Sequence, residues 1–554
     1  MPGRVWTVVR RVVLVALVAA AGLALLLALY GWWRFTRDEP VVFADVEEHF
    51  KYGSTGGERG YKLQPGFGLP YWIWVAMPEL FPEHLPDGRP GRGYASLGML
   101  YEAGRDPRFD LPVGMSMRNY QGIDRVYFNC ALCHVGAVRA TPEAEPTYVL
   151  GMPANTLDLG RLARFLFDVS ADHRFTPSYV MPQIARLREV RGREHPDGPA
   201  PRAEDFDLLD RTLFQLAGVH MVRDRLLNIR GQLAFMDTRT WGPGRVDTFN
   251  SPKALLGFPM DAASPRELVG TTDFPSVWFQ AAREGMSLHW DGNNDSVDER
   301  NLSAAFGTGA TPTTIDPASV LRTSDFLWDR AEPPPFPAER IDRRLAARGR
   351  PVYERWCAGC HGGPRPPFGG ETVGEVVPIE EIGTDRWRLD SYTPKLAAAQ
   401  NSLYAGFPAA GEEECASREG GGGDGGRDAV RPAEREGCYP ARFSRFRKTH
   451  GYASMPLDGL WLRAPYLHNG SVPTLRDLLE PSDGRPAEFY SGNDLYDFDA
   501  VGFVHDVPAE GDRRFFRYDT TRPGNGNAGH EGPEYGTELP PAAKDALVEY
   551  LKTL

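Results

Sequence analysis

Two short segments of the chain, Cys130-Ala131-Leu132-Cys133-His134 and Cys357-Ala358-Gly359-Cys360-His361, share the pattern Cys-x-x-Cys-His. This is the attachment pattern of a c-type haem, because two thiols three positions apart add to the two vinyl groups of one haem. The histidine that follows then lies under the iron as the proximal ligand. The same cysteines are compatible with a zinc knuckle or with thioredoxin-like redox pairs. Neither of those requires a histidine at the fifth position in both copies. The sequence therefore predicts two covalently bound c-type haems, with His134 and His361 as iron ligands.

The N-terminus contains an uninterrupted apolar run at residues 12–29, preceded by arginines and followed by Tyr30, Trp32 and Trp33. With the aromatic residues it approaches the roughly 20 residues that a membrane-spanning helix needs. An aromatic belt is typical of a span rather than of the end of a signal peptide. We predict an uncleaved anchor in the bacterial inner membrane, with the rest of the chain in the periplasm, where haem is attached. A cleaved signal sequence is the alternative.

The composition excludes one class of partner and indicates a fold class. There are 62 Lys and Arg residues against 74 Asp and Glu, a net charge of −12. An acidic chain with scattered arginines lacks the basic surface that nucleic acid requires, so no nucleic acid partner is expected. The 60 glycines and 48 prolines exceed the usual share. We predict a mainly α fold with extensive irregular loops and no strand-rich block.

The third cysteine pair, Cys415 and Cys438, flanks a glycine-rich, charged stretch. Such a segment cannot bury apolar surface, and we predict a flexible insertion at residues 411–440. In an oxidising compartment a disulfide between the two cysteines would close its base and stabilise the fold by on the order of 3 kcal/mol. Two free thiols are the alternative.

The domain organisation follows from the helical patterns and from a proline-rich run at residues 333–337. We predict an anchor (1–39), an N-terminal haem domain (40–335) and a C-terminal cytochrome c domain (336–554). Apolar residues at helical spacing run from Ile341 into the second haem motif, and a last helix begins at Pro541. A terminal helix packed against the helix before a haem motif is the cytochrome c arrangement. Two cytochrome c-like haem domains behind a transmembrane helix are therefore expected.

Three further segments have a local pattern. An apolar run at residues 71–75 could line a substrate channel or belong to the core. Helical periodicity is present at residues 157–166, after the capping candidates Asn155 and Thr156, and again at residues 205–235.

Residues 456–475, PLDGLWLRAPYLHNGSVPTL, resemble the di-haem cytochrome c peroxidase and methylamine-utilisation superfamily. Within it the chain is most similar to the rubber-oxygenase-like, or di-haem oxygenase, branch, which also contains di-haem fatty-acid dioxygenases. The supporting pieces are Asn129 before the first motif, WGPGRVD at residues 241–247, LHWDGNN at 288–294 and NAGH at 527–530. Together these pieces extend over about residues 50–554.

The chain departs from the ordinary peroxidases of this superfamily in its iron ligands. Those enzymes have a distal histidine soon after the first motif and a methionine just beyond the counterpart of His468. Here no histidine occurs between His134 and His173, and no methionine follows Met455. In the rubber-oxygenase branch the second haem has a histidine on both sides, and the matching position is His530. Two imidazoles suit electron transfer rather than oxygen binding.

Other histidines are alternatives for that position. His468 lies in the family segment, where it can simply hold a hydrogen bond, and His450 and His505 can be surface residues.

The resemblance also implies a reactive first haem. In the branch, aromatic residues crowd its open side, and the matching positions are Trp241 and Phe258, our candidate catalytic residues. An apolar wall there would exclude water and bring dioxygen against an apolar substrate. Both residues could instead be ordinary core aromatics.

Three functions are consistent with a haem-dependent oxidoreductase of this kind. The first is an oxygenase that acts on an unsaturated lipid or isoprenoid at the first haem. The second is a periplasmic peroxidase that reduces hydrogen peroxide with electrons from a small cytochrome or a cupredoxin. The third is an electron-transfer cytochrome without substrate chemistry.

Overall fold

The computed structural model describes residues 2–59, 68–86, 92–194, 206–236, 241–406, 413–414, 438–439 and 442–554. About 44% of the described residues are helical, 3-10 and π turns included, which confirms the mainly α class. The helices are α1 (Pro2–Phe35), α2 (Val46–Tyr52), α3 (Tyr71–Leu80), α4 (Leu159–Ala171), α5 (Pro177–Glu194), α6 (Leu208–Leu213), α7 (Val219–Gln232), α8 (Asn250–Leu255), α9 (Val297–Gly307), α10 (Pro317–Asp329), α11 (Arg343–Trp356), α12 (Ala358–His361), α13 (Ile379–Ile382), α14 (Trp387–Ser391), α15 (Pro394–Gln400), α16 (Leu475–Leu478) and α17 (Pro541–Leu551).

The strands are short and connect the helices. They are β1 (Asp38–Pro40), β2 (Leu69–Pro70), β3 (Met115–Tyr120), β4 (Ile123–Phe128), β5 (Val135–Val138), β6 (Thr147–Leu150), β7 (Arg245–Asp247), β8 (Thr271–Asp273), β9 (Val376–Pro378), β10 (Glu413–Glu414), β11 (Cys438–Tyr439), β12 (Gly451–Ala453), β13 (Glu488–Ser491), β14 (Tyr496–Asp497), β15 (Gly502–Phe503), β16 (Ala509–Glu510), β17 (Arg513–Arg514) and β18 (Phe516–Asp519).

One four-stranded antiparallel sheet, in the order β1-β3-β4-β2, stands directly before the first haem motif. This sheet differs from the expectation that the chain has no strand-rich block. The hairpin between β3 and β4 turns at Gln121 and Gly122, both with positive φ, at 56° and 71°. Two consecutive positive φ angles match the right-handed twist of a hairpin. Gln-Gly is not among the dipeptides that usually signal such a turn.

The predicted packing of the terminal helix against the helix before the second motif is confirmed. Helices α11 and α17 lie together along their length. A Cβ atom at Gly349 of α11 would lie only 1.9 Å from the carbonyl oxygen of Ala546 in α17. Helix α11 continues through Pro351 into the second motif.

Two large apolar clusters form most of the core. The first lies within residues 69–274 and includes α3, whose residues Tyr71–Pro78 are buried. The second combines segments from both sides of the proline-rich run at 333–337. Phe336, inside that run, is 4% exposed and packs against Trp461 and Phe498 at ring distances of 5.5 and 5.6 Å. The predicted domain boundaries stay a prediction.

The cap predicted for α4 is wrong. Asp158 caps this helix, because its side chain accepts from the N–H of Arg161. The side chain of Asn155 instead accepts from the N–H of Ala137, and Thr156 donates to the carbonyl of Gly98. Tertiary hydrogen bonds thus occupy both residues.

Two other expectations concern the N-terminal helix and the insertion at residues 411–440. Within Val9–Phe35 of α1, the most apolar 18 residues have a mean hydropathy of 3.0, which suits a membrane span and equally a signal sequence. Cys415 lies outside the described residues, so the predicted disulfide does too. Strands β10 and β11, at the base of the insertion, pair in parallel.

Candidate haem sites

The first motif is held at the junction of β4 and β5 by Asn129. Its side-chain oxygen accepts from the N–H of Ala131, and its amide donates to the carbonyls of Lys51 and Gly53. Residues Cys130–Leu132 form the resulting 3-10 turn. The hydrogen bonds of Asn129 therefore fix the turn that carries both thiols and His134.

His134 has the tautomer that an iron ligand needs. Its Nδ1 lies 2.9 Å from the carbonyl oxygen of Pro275. Because a carbonyl oxygen only accepts, Nδ1 carries the proton and Nε2 is free to bind metal. Burial, assisted by the charge of Arg300, lowers the pKa of His134 to about 4, so the ring is neutral.

The second motif follows α11 directly, and His361 is held in the same way. Its Nδ1 lies 2.7 Å from the carbonyl oxygen of Met455, which leaves Nε2 free. Tyr353 donates to the carbonyl of Gly362, just after the motif, at 2.7 Å. Burial lowers the pKa of His361 as well.

His530 faces His361, and their ring centres are 6.1 Å apart. With a metal–nitrogen bond of about 2 Å, a ring centre lies about 3 Å from the metal, so two imidazoles on opposite sides of one ion are about 6 Å apart. The backbone of His530 has φ = 48°, and its N–H donates to the carbonyl of Ile382 at 2.7 Å. Its buried Nδ1 has no hydrogen-bond partner among the described residues. The pair fits a metal ion with two axial histidines.

Three of the four motif cysteines are buried in surroundings that favour the thiol. Burial raises the pKa of Cys130 to about 11 and the pKa values of Cys133 and Cys357 to about 12. A redox nucleophile needs the thiolate, which these surroundings disfavour. The residues present therefore fit covalent haem better than a redox pair.

His468, the alternative ligand, has other contacts. Its ring stacks on Tyr452 at a ring distance of 4.0 Å. Its carbonyl accepts from the hydroxyl of Thr272 and from the N–H of Asp273. Among the described residues no ring contact joins it to His361. These contacts support a structural role in this segment.

Trp290, in the LHWDGNN segment, contacts residues near both histidine sites. Its indole N–H donates to the carbonyl of Asp273 at 3.0 Å, two residues before the carbonyl that holds His134. Trp290 packs against the same apolar cluster as Ile382, whose carbonyl accepts from the N–H of His530. No pattern in the sequence indicated a role for Trp290.

Comparison with known proteins agrees with this geometry. Residues 451–490 match the RoxA-like, cytochrome c-like family. The chain is 35% identical over 500 residues to the uncharacterized protein y4iJ of Sinorhizobium fredii (strain NBRC 101917 / NGR234), covering 77% of each protein. The chain belongs to the same family as y4iJ. The RoxA-like match supports the rubber-oxygenase-like branch and implies covalently bound c-type haem.

A second protein of the same organism, the uncharacterized protein y4iM, is 32% identical to this chain over 302 residues. The match covers 51% of the chain and 64% of y4iM.

The two aromatic candidates, Trp241 and Phe258, lie in different places. Trp241 is 4% exposed, and its ring lies against Gly160 at the start of α4. Three residues after Trp241, Gly244 lies near Ala154. The N–H of Ala154 donates to the carbonyl of Cys133 in the first motif. Phe258 is half-buried and packs against the apolar cluster around Phe249, Leu302 and Tyr392. No described contact joins Phe258 to the first motif, and the role of both aromatics stays a prediction.

His289, next to Trp290, is a second residue that the sequence analysis left without a role. The amide of Asn293 donates to Asp291, so its oxygen faces His289 and accepts from Nδ1 at 2.6 Å. Asp291 in turn pairs with buried Arg388 at 2.7 Å. Nε2 of His289 is thus left as an acceptor, and burial lowers the pKa of the ring to about 4. The charge of Arg300 acts on both His289 and His134.

Proposed function

We propose that this RoxA-like cytochrome is a membrane-anchored, periplasmic di-haem oxidoreductase. In this proposal the first motif carries the reactive haem, which acts with dioxygen on an apolar unsaturated substrate, a lipid or an isoprenoid. The second motif carries an electron-transfer haem. The supporting observation is the asymmetry of the histidines: His361 faces His530, whereas His134 has no ring contact with a second histidine in the described part of the chain.

In this proposal the residues of the two sites have different roles. His361 and His530 would together hold the iron of one haem, which suits electron transfer. At the first motif His134 would hold the other haem, and that haem would supply the redox chemistry on the substrate. The indole of Trp290 contacts residues near both sites, and in this proposal it would serve as an aromatic path for electrons.

The residues around the first motif include several apolar side chains. Leu132, Val135, Ala154 and Leu157 line a small cavity beside it. In this proposal such side chains would exclude water and lie next to an apolar substrate, which gains free energy on leaving water.

One observation favours the peroxidase as a second candidate. His289 presents a neutral nitrogen, and the buried cation Arg300 acts on the same region. A neutral histidine with a neighbouring positive charge can take a proton from hydrogen peroxide and stabilise the anion that results.

Turnover of the purified full-length protein distinguishes the candidates. We expect oxygen uptake with oleate, linoleate or polyisoprene in the absence of an electron donor, and no uptake by His134→Ala. Consumption of hydrogen peroxide that needs a reduced small cytochrome, and that His289→Gln abolishes, would favour the peroxidase instead. If neither oxygen nor peroxide is consumed, the electron-carrier function is favoured.

The haem content is tested separately. A pyridine haemochrome assay should give two covalent haems per chain, and acid-acetone extraction should leave the colour with the protein. One haem per chain, or extractable colour, would contradict the assignment of both motifs.

A further inference from the structure

The outer end of α1 is fixed to the rest of the protein by a buried arginine. Arg34 is 5% exposed, and its guanidinium pairs with Asp207, at 3.1 Å, and with Asp210. It also donates to the carbonyl of Gly122 at 2.9 Å. Tyr30, one turn earlier in α1, donates to the same carboxylate of Asp207 at 3.1 Å. We call Arg34, Asp207 and Asp210 the anchor clamp.

The anchor clamp sets the depth of α6 relative to a membrane that holds α1. The apolar run of α1 ends at Leu29, so Tyr30 and the exposed Trp32 and Trp33 mark the interface with water. At a rise of about 1.5 Å per residue, Tyr30 and Arg34 differ in depth by about 6 Å. Asp207 contacts both residues and therefore lies in the interfacial layer, as does the start of α6.

Two leucines beside the anchor clamp are exposed. Leu208 directly follows Asp207 and is 79% exposed, and Leu216, in the π-turn that continues α6 into α7, is 73% exposed. Both are more exposed than any other leucine of the described residues, including those of α1. Large apolar side chains next to an interfacial helix end are typical of a surface that enters the headgroup region.

We propose that Leu208 and Leu216 insert into the outer face of the same bilayer that α1 spans, and that the anchor clamp holds the protein on that surface in one orientation. This inference rests on the proposed retention of α1 as a membrane anchor. The occupant is a lipid surface rather than a second copy of the chain, because Leu208 is continuous with the residues that meet the end of the span.

Lipid quenching of a site-specific fluorophore tests the inference. The full-length holoprotein, with Cys415 and Cys438 changed to Ser, would carry a nitrobenzoxadiazole label at Leu208→Cys or Leu216→Cys in phosphatidylcholine–phosphatidylglycerol vesicles. We expect blue-shifted emission and quenching by lipids spin-labelled near the headgroup. Leu256→Cys, an exposed leucine at the end of α8, is the matched control and should show neither effect.

A label at Leu25→Cys, inside α1, separates the two possible failures. Quenching at Leu25 without quenching at Leu208 or Leu216 would overturn the inference and leave the anchor intact. Absence of quenching at Leu25 would overturn the anchor and the inference together. A blue shift at Leu208 without lipid quenching would show a protein contact, and this too would overturn the inference.

The anchor clamp is tested by Arg34→Gln, with Arg34→Lys as the conservative control. We expect Arg34→Gln to reduce quenching at Leu208 while quenching at Leu25 stays unchanged, and Arg34→Lys to retain more of it. If Arg34→Gln leaves quenching at Leu208 unchanged, the anchor clamp does not orient the protein.

Discussion

A backbone carbonyl beside each proximal histidine decides which ring nitrogen faces the iron. The carbonyl at Pro275 lies 141 residues from His134, and that at Met455 lies 94 residues from His361. Both accept from Nδ1 and so expose Nε2. The motif thus identifies the histidine that binds iron, and a carbonyl from a distant segment fixes the tautomer and orientation of its ring.

At this scale we predict that His530→Ala opens the second haem. The pair with His361 should be lost, because alanine offers no ligand, and the second haem should become high-spin or accept imidazole. Electron paramagnetic resonance of the ferric protein, with and without imidazole, measures the change. His505→Ala, at a half-buried histidine whose Nδ1 lies 3.2 Å from the carbonyl of Phe503, is the control and should leave the spectrum unchanged. An unaltered low-spin signal in His530→Ala would refute the ligand assignment.

Among the elements, the contact of α11 with α17 depends on the absence of a side chain at Gly349. The two backbones approach so closely there that a Cβ atom would collide with a carbonyl oxygen rather than with a movable side chain. Because α11 leads directly into the second motif, this contact also positions His361.

We predict that Gly349→Ala forces the two helices apart and lowers the free energy of unfolding by about 1 to 3 kcal/mol, as overpacking does. Thermal unfolding followed by circular dichroism measures the loss. Gly231→Ala, in α7, is the control, since nothing lies within 4 Å of its Cβ position. That change should raise stability by up to about 1 kcal/mol, because alanine favours a helix over glycine. Equal effects of the two changes would contradict the proposed close approach.

At the scale of the whole molecule, Asp494 connects the hairpin of β5 and β6, after the first motif, to the C-terminal region. Its carboxylate accepts from Arg139, next to β5, at 3.0 Å and from Arg513 at 2.7 Å. The N–H of Arg139 also donates to the carbonyl of Asp494. Although burial alone would raise the pKa of Asp494, the two arginines hold it below its usual range.

The lowered pKa gives this contact a pH dependence. A depressed carboxyl pKa stabilises the fold at pH values above the unfolded pKa of about 3.9, and the contribution is lost as pH falls through the folded pKa. We predict that Asp494→Asn lowers the free energy of unfolding by about 2 kcal/mol at pH 7, the size of a charged hydrogen bond. Denaturant unfolding at pH 7 and pH 3.5 measures it, and the difference from the parent protein should shrink at the lower pH. A difference that does not depend on pH would exclude the charge as its origin. Asp506→Asn, at an exposed aspartate between β15 and β16, is the control for removing one negative charge.

The sequence alone determined the parts of this protein that are local. Each haem attachment motif consists of five consecutive residues. The apolar run of α1 and the periodicity of α11 and α17 each lie within a few helical turns, so the sequence predicts these helices directly. The cap predicted for α4 was wrong, because Asn155 and Thr156 form hydrogen bonds with distant residues. The hairpin of β3 and β4 was not predicted, because its turn has an unusual dipeptide, Gln121-Gly122.

Only the tertiary structure decided how distant residues meet. It placed His530 opposite His361, joined Trp290 to Asp273, and placed His289 in a hydrogen bond with Asn293. It also brought Arg34 to Asp207, although no pattern in the sequence indicated a partner for either residue. These contacts depend on the path by which the chain returns to itself, and no periodicity or motif within one segment encodes that path.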